Sequence, residues 1–197
     1  MSAPSRYLRV VRKPISPQLA EWIDALASED RKDREAARLA LASVGRPAVV
    51  PLLRCLQDKR VRVRWEAAKA LVDIADPRAA RALVSLLEDE ESGVRWIAAE
   101  GLVALERDAL PPLLAALERG AHSQHLREGA HHVLRELHVW KLVSLLTPLM
   151  HALEQPHSEV QVPIAASHLL DSLHRDPPPK WRRQRERARR AASREQS

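Results

Sequence analysis

The chain has 197 residues, 45% of them hydrophobic and 29% charged, with no Phe, one Tyr and five Gly. That is enough for one sizeable core, and a composition led by Ala, Leu and Arg favours helix over sheet. The single cysteine, Cys55, excludes an internal disulfide and fits a reducing compartment, so a cytoplasmic location is expected. No apolar run reaches the roughly eighteen residues of a membrane span, and residues 1–16 hold no apolar segment of a secretory leader. The net charge of +6 is uneven: residues 175–197 carry +6, residues 1–13 carry +4 and the body between them carries −4. The basic character therefore belongs to the two ends.

Residues 1–15 form a basic head, with Tyr7, Leu8, Val10, Val11 and Ile15 set among Arg6, Arg9, Arg12 and Lys13. It is too short to fold alone and would cap the first helix. Ser16-Pro17 has the form of a helix start, and Leu19, Trp22, Ile23 and Leu26 follow at helical spacing. A second helix is expected from about Asp30 to Val44, with Ala36, Ala37, Ala40 and Leu41 inward and Gly45 ending it. The next pair starts at Pro47, with Val49, Leu52, Leu53 and Leu56, then Val63, Ala67, Ala70, Leu71 and Ile74. A third starts at Pro77, with Leu83, Leu86 and Leu87, then Val94, Ala98, Leu102 and Leu105. A fourth starts near Pro111-Pro112, with Leu113, Leu114 and Leu117, then Leu126, Ala130, Val133, Leu134 and Leu137.

The centre of the chain repeats itself. Asp58, Val63, Arg64, Trp65, Ala67, Ala68, Leu71 and Val72 return thirty-one residues later as Asp89, Val94, Arg95, Trp96, Ala98, Ala99, Leu102 and Val103. A fixed period in this range marks stacked helical units that bury their apolar faces only against each other. The period then slips: Leu146-Thr147-Pro148-Leu149-Met150 matches Leu110-Pro111-Pro112-Leu113-Leu114 thirty-six residues on, which puts an insertion around 138–144. A last helix over about 158–173 keeps Ala165, Ala166, Leu169 and Leu170, and Pro177-Pro178-Pro179 stops it.

These residues resemble HEAT repeats, of the short bacterial type also seen in phycobilin lyase-like proteins. In that family the first helix ends in Leu-Leu and an Asp, and the second opens with Val-Arg, two small residues and Leu. The first pair keeps Ala36-Ala37 with Asp33-Arg34 where Val-Arg is expected; the fourth has His125-Leu126 there. The resemblance covers about residues 17–174. It implies an all-α fold, a right-handed α-solenoid (superhelix) of about five helix pairs, in which Asp58, Arg64, Asp89 and Arg95 form a hydrogen-bonded structural ladder between units.

In such arrays the second helices line the concave surface, the usual binding face. Adding the interval gives a row of Arg34, Trp65, Trp96 and Arg127, and one turn on a row of Arg38, Lys69, Glu100 and His131. Two exposed Trp flanked by Arg would form an aromatic platform of the kind that dominates binding hot spots; alternatively each Trp packs sideways between neighbouring helices. His125, Glu128 and His132 share one helical stripe that could hold a metal, although a solvated or packed set of histidines is the simpler reading, and no metal or other cofactor is expected. No His-Glu dipeptide occurs, so the iron site of the HEAT-type deoxyhypusine hydroxylases is not expected, and no motif of the HEAT-like DNA glycosylases is matched.

Residues 175–197 form a Pro-led, Arg-rich tail. If it is helical, Arg183, Arg187, Arg190 and Arg194 share one side, opposite Trp181, Ala188 and Ala192. That face suits nucleic acid or another anion, or is the solvated side of a capping helix. The expectation is therefore a non-enzymatic scaffold of residues 16–174, monomeric or weakly oligomeric, that holds a protein partner in its concave groove. A nucleic-acid-associated protein acting through the tail and a cofactor-lyase-like accessory are the alternatives.

Overall fold

A computed structural model describes residues 16–137, 143–156 and 158–175, and all of the secondary structure among them is helical. The basic head and the Arg-rich tail lie outside these residues. Ten α-helices are described: α1 Pro17–Ala25, α2 Arg31–Val44, α3 Val49–Cys55, α4 Val61–Ile74, α5 Ala80–Leu86, α6 Ser92–Ala104, α7 Leu110–Gly120, α8 Gln124–Glu136, α9 Val143–Glu154 and α10 Ser158–Arg175. Short 3-10 turns, Arg46–Ala48, Pro77–Ala79 and Glu106–Ala109, lead into α3, α5 and α7. No single helix among the described residues is long and apolar enough to cross a membrane.

The helices begin where the sequence supplies oxygen acceptors for free amides. Ser16, Asp30 and Ser123 cap α1, α2 and α8, accepting from the amides of Leu19, Lys32 and Leu126. Three of the second helices are followed by a residue at positive φ: Gly45 (69°), Ala75 (49°) and Glu106 (52°). Glycine takes this conformation freely, whereas Ala75 and Glu106 hold it at a steric cost.

The pairs stack in two layers. The second helices α2, α4, α6 and α8 pack in that order, and α5 packs on α7 in the layer of first helices. Ala67, Ala70, Ala98 and Ala130 are fully buried where the second helices meet their neighbours, together with Leu41, Leu71, Leu102 and Leu134. Small side chains let the helix axes approach closely: a Cβ placed on Gly101 would lie 2.9 Å from a Leu83 methyl of α5. Ala36, expected inward, is exposed. Its position corresponds to Glu66 in α4 and Ile97 in α6, both buried against the preceding second helix, and no earlier second helix lies against α2 among the described residues.

The fifth pair departs from the expected order. α9, matched in sequence to the first helix α7, packs instead on α8 and so extends the second-helix layer. α10 packs against α7 and extends the first-helix layer. The two helices have exchanged layers, and the exchange follows the insertion that breaks the period.

Replacing Ala75 with Gly removes the left-handed strain at the end of α4 and is expected to stabilise the fold by about 0.5–1 kcal/mol. An unchanged or lowered chemical-denaturation midpoint would contradict that account of the turn.

Candidate functional site

The second-helix layer is built on one repeated arginine. Arg34 Nη1 donates to the carbonyls of Ser28 (2.9 Å) and Glu29 (3.0 Å), six and five residues back. Arg64 Nη1 does the same to Asp58 (3.0 Å) and Lys59 (3.1 Å), and Arg95 Nη1 to Asp89 (2.8 Å) and Glu90 (3.0 Å). Arg127 Nη1 donates to the Ala121 carbonyl. Each guanidinium closes the loop that leads into its own helix, where turn carbonyls would otherwise lack donors. The successive intervals, Arg34 to Arg64, Arg64 to Arg95 and Arg95 to Arg127, are therefore 30, 31 and 32 residues.

This register corrects four expected row positions. Arg34 and Arg127 are not the counterparts of the tryptophans but loop clamps equivalent to Arg64 and Arg95, and Arg38 and His131 each stand one place before the row one turn on. The positions matching Trp65 and Trp96 are Glu35 in α2 and Glu128 in α8, and one turn on the row reads Leu39, Lys69, Glu100 and His132. A constant interval of 31 misses a loop one residue short and another one residue long. The signal was present in the core spacing, since Leu41 to Leu71 is 30 and Leu102 to Leu134 is 32.

The remaining edge of each clamp has a different fate in each unit. Arg64, only 7% exposed, grips Asp89 of the next loop through Nε (2.7 Å) and Nη2 (2.9 Å). Asp58 instead holds the amide and side chain of Arg60. Arg34 turns its Nε to buried Glu66 (3.4 Å), which also faces Arg38 Nε (3.3 Å), and Arg38 reaches Asp73 at 3.1 Å. The corresponding partner of Arg95 would stand at Ala121, which has no carboxylate.

These contacts set the acidity of the loop aspartates. The Arg60 side chain and amide lower the Asp58 carboxyl to about 2. Burial alone would raise the Asp89 carboxyl, but the hydrogen bonds from Arg64 and the Glu91 amide, with the charges of Arg64 and Arg95, hold it below its ordinary 3.8. Burial raises the Cys55 thiol, which sits half-buried against the core as an unreactive group.

Trp65 and Trp96 occupy matching positions on adjacent helices and both reach solvent, at 37% and 58% exposure. Trp65 borders a groove of about 520 Å³ with Val61, the arginines Arg31, Arg34, Arg38 and Arg62 and the glutamates Glu35, Glu66 and Glu91. Trp96 tilts at 45° against His132, ring centres 5.0 Å apart. Lys69 lies 3.9 Å from Asp73, Glu100 is 3.3 Å from His132, and His131 is 3.4 Å from Glu154. The stripe of His125, Glu128 and His132 is divided, because His125 pairs with Glu128 at 3.9 Å while His132 turns to Glu100. Arg183, Arg187, Arg190 and Arg194 lie outside the described residues.

The repeat geometry has a counterpart among known families. A family model described as HEAT repeats matches residues 19–103. The chain is a HEAT-repeat protein. A second model, described as PBS lyase HEAT-like repeat, matches residues 94–119, so the two run unbroken across α1 to α7. No curated protein matches the chain. HEAT repeats make this a repeat scaffold, and the family is in general of a non-catalytic type that commonly mediates protein interactions.

Asp89→Ala strips the buried Arg64 guanidinium of its two-pronged carboxylate, leaving only the exposed Glu90 at 3.2 Å, and is expected to cost about 2–3 kcal/mol in urea denaturation. Asp89 and Asp58 are more acidic folded than unfolded. Their contribution is complete above the ordinary carboxyl value and is lost as pH falls through the lowered values. A wild-type stability that is flat from pH 5 to about pH 2.5 would contradict this linkage.

Proposed function

We propose that this HEAT-repeat protein is a non-catalytic scaffold that grips a protein partner along the outward face of its second-helix layer, the concave side of such arrays. The supporting observation is the pair of exposed tryptophans. Burying an indole removes a large apolar area from water, so two left open on successive helices at the same position form a contiguous contact surface. Tryptophan and arginine are the side chains that most often anchor an interface. Here Trp65 stands beside a groove lined by paired arginines and glutamates, and Trp96 beside His132, which reaches Glu100. The contact surface comprises Trp65, Lys69, Trp96 and Glu100, extended by Leu39, Glu128 and His132.

The test is co-purification with the full-length chain as bait, compared with Trp65→Ala/Trp96→Ala. The variant should lose a stoichiometric partner while its stability falls by no more than about 1–2 kcal/mol, because neither ring is enclosed. Undiminished recovery by a variant that is still folded would remove this face from consideration. A large loss of stability with binding retained would show that the rings serve packing.

A further inference from the structure

The carboxylates at the Trp96 end of the face select a ligand. Around Trp65 the arginines Arg31, Arg34, Arg38 and Arg62 stand with Glu35, Glu66 and Glu91, and Arg34, Arg38 and Arg62 are ion-paired. The Trp96 end presents carboxylates without such partners. Glu100 lies one turn beyond Trp96, Glu128 takes the matching position on α8, and Glu154 ends α9 beside α8. Each of the three has a histidine as its basic neighbour: His132 at 3.3 Å, His125 at 3.9 Å and His131 at 3.4 Å. A neutral imidazole donates one hydrogen bond but cancels no charge. Among the described residues no lysine or arginine forms an ion pair with any of them. Arg127, the arginine that shares a hollow with Glu128 and Glu154, donates to the Ala121 carbonyl and keeps its charge, which leaves the two carboxylates in excess, and Arg135 pairs with Glu136.

We propose that the Trp96 end of this face receives a basic segment of a protein partner, in which a lysine or arginine adjoins an apolar side chain. This rests on the groove reading above and names its ligand. A hollow of about 320 Å³ between α8 and the α9–α10 turn has Glu128, Glu154 and Leu153 on its walls, with Arg127 and His131 beside them. A lysine or arginine stem lies along Leu153 and its charged head sits between the carboxylates. The adjoining apolar side chain covers the open part of the Trp96 ring, whose face also attracts cations.

The test uses the full-length chain and a fluorescein-labelled peptide of alternating lysine and leucine, with glutamate replacing lysine in a control, read by fluorescence anisotropy. The lysine peptide should bind about tenfold or more tightly than the control, and more weakly as salt is added. Glu100→Gln/Glu128→Gln/Glu154→Gln should weaken it about tenfold, and Trp96→Ala about fivefold, with melting curves confirming that each variant is folded. Equal binding of both peptides, or indifference to the triple substitution, overturns the proposal. If the glutamate peptide binds instead and loses affinity in Trp65→Ala or Trp96→Ala, the groove stands and its basic ligand does not. If neither tryptophan affects either peptide, both readings fall. In a full-length variant with Arg183, Arg187, Arg190 and Arg194 changed to Gln, unchanged affinity supports an external partner. A rise of about tenfold there identifies the chain's own tail as the occupant and overturns the partner assignment.

Discussion

The donation from one guanidinium nitrogen to a carbonyl six residues back organises this molecule. A short interhelical loop leaves carbonyls without helical donors, and packing the next unit against it removes water as an alternative. An arginine in the first turn of the following helix resolves this, because its planar fork presents several donors in fixed geometry. At Arg64 one edge closes the loop of its own unit and the other grips Asp89 of the next. The same side chain thus fixes the turn within a pair and the approach between pairs. Arg34, Arg95 and Arg127 retain the first function and vary in the second.

That variation explains how loops of different length fit one stack. Between the first and second units the interval is 30 residues, between the third and fourth it is 32, yet Leu41, Leu71, Leu102 and Leu134 are all buried at the same depth in their helices. A clamp on the carbonyl holds the helix entry constant while the residues before it absorb the change. Ala121 has no carboxylate for Arg95 to grip, and its loop is the one with the extra residue. The link between the third and fourth units therefore relies on apolar packing of α6 on α8, without the ionic rung that joins the second and third.

Much of this was legible in the sequence. The helix starts at Ser16 and Asp30, the stop at Gly45, the alanine-rich seams and the count of five pairs follow from local chemistry and periodicity. The surface was less legible, because which residues share a row depends on register to a single residue. A constant interval through two near-identical central units is correct for Trp65 and Trp96 and wrong for Arg34 and Arg127. The layer exchange of α9 and α10 was not legible at all. Pro148 in α9 mirrors Pro112 in α7 in local sequence, so α9 carries no local mark of the layer it joins.

The exchange bears directly on the charge of the tryptophan face. Had α9 followed the pattern of α3, α5 and α7, its C-terminal Glu154 would stand in the first-helix layer, remote from α8. Because α9 lies beside α8, Glu154 meets His131 and shares a hollow with Glu128. Like charges gathered on adjacent helices repel, so the arrangement costs stability unless something offsets it. His131 and His132 offset it in part, standing 3.4 Å from Glu154 and 3.3 Å from Glu100. The acidic end of the face is therefore a product of the break in the repeat rather than of the repeat itself. The regular units supply a platform with two tryptophans at equal positions, and the irregular fifth unit makes the two ends of that platform chemically different.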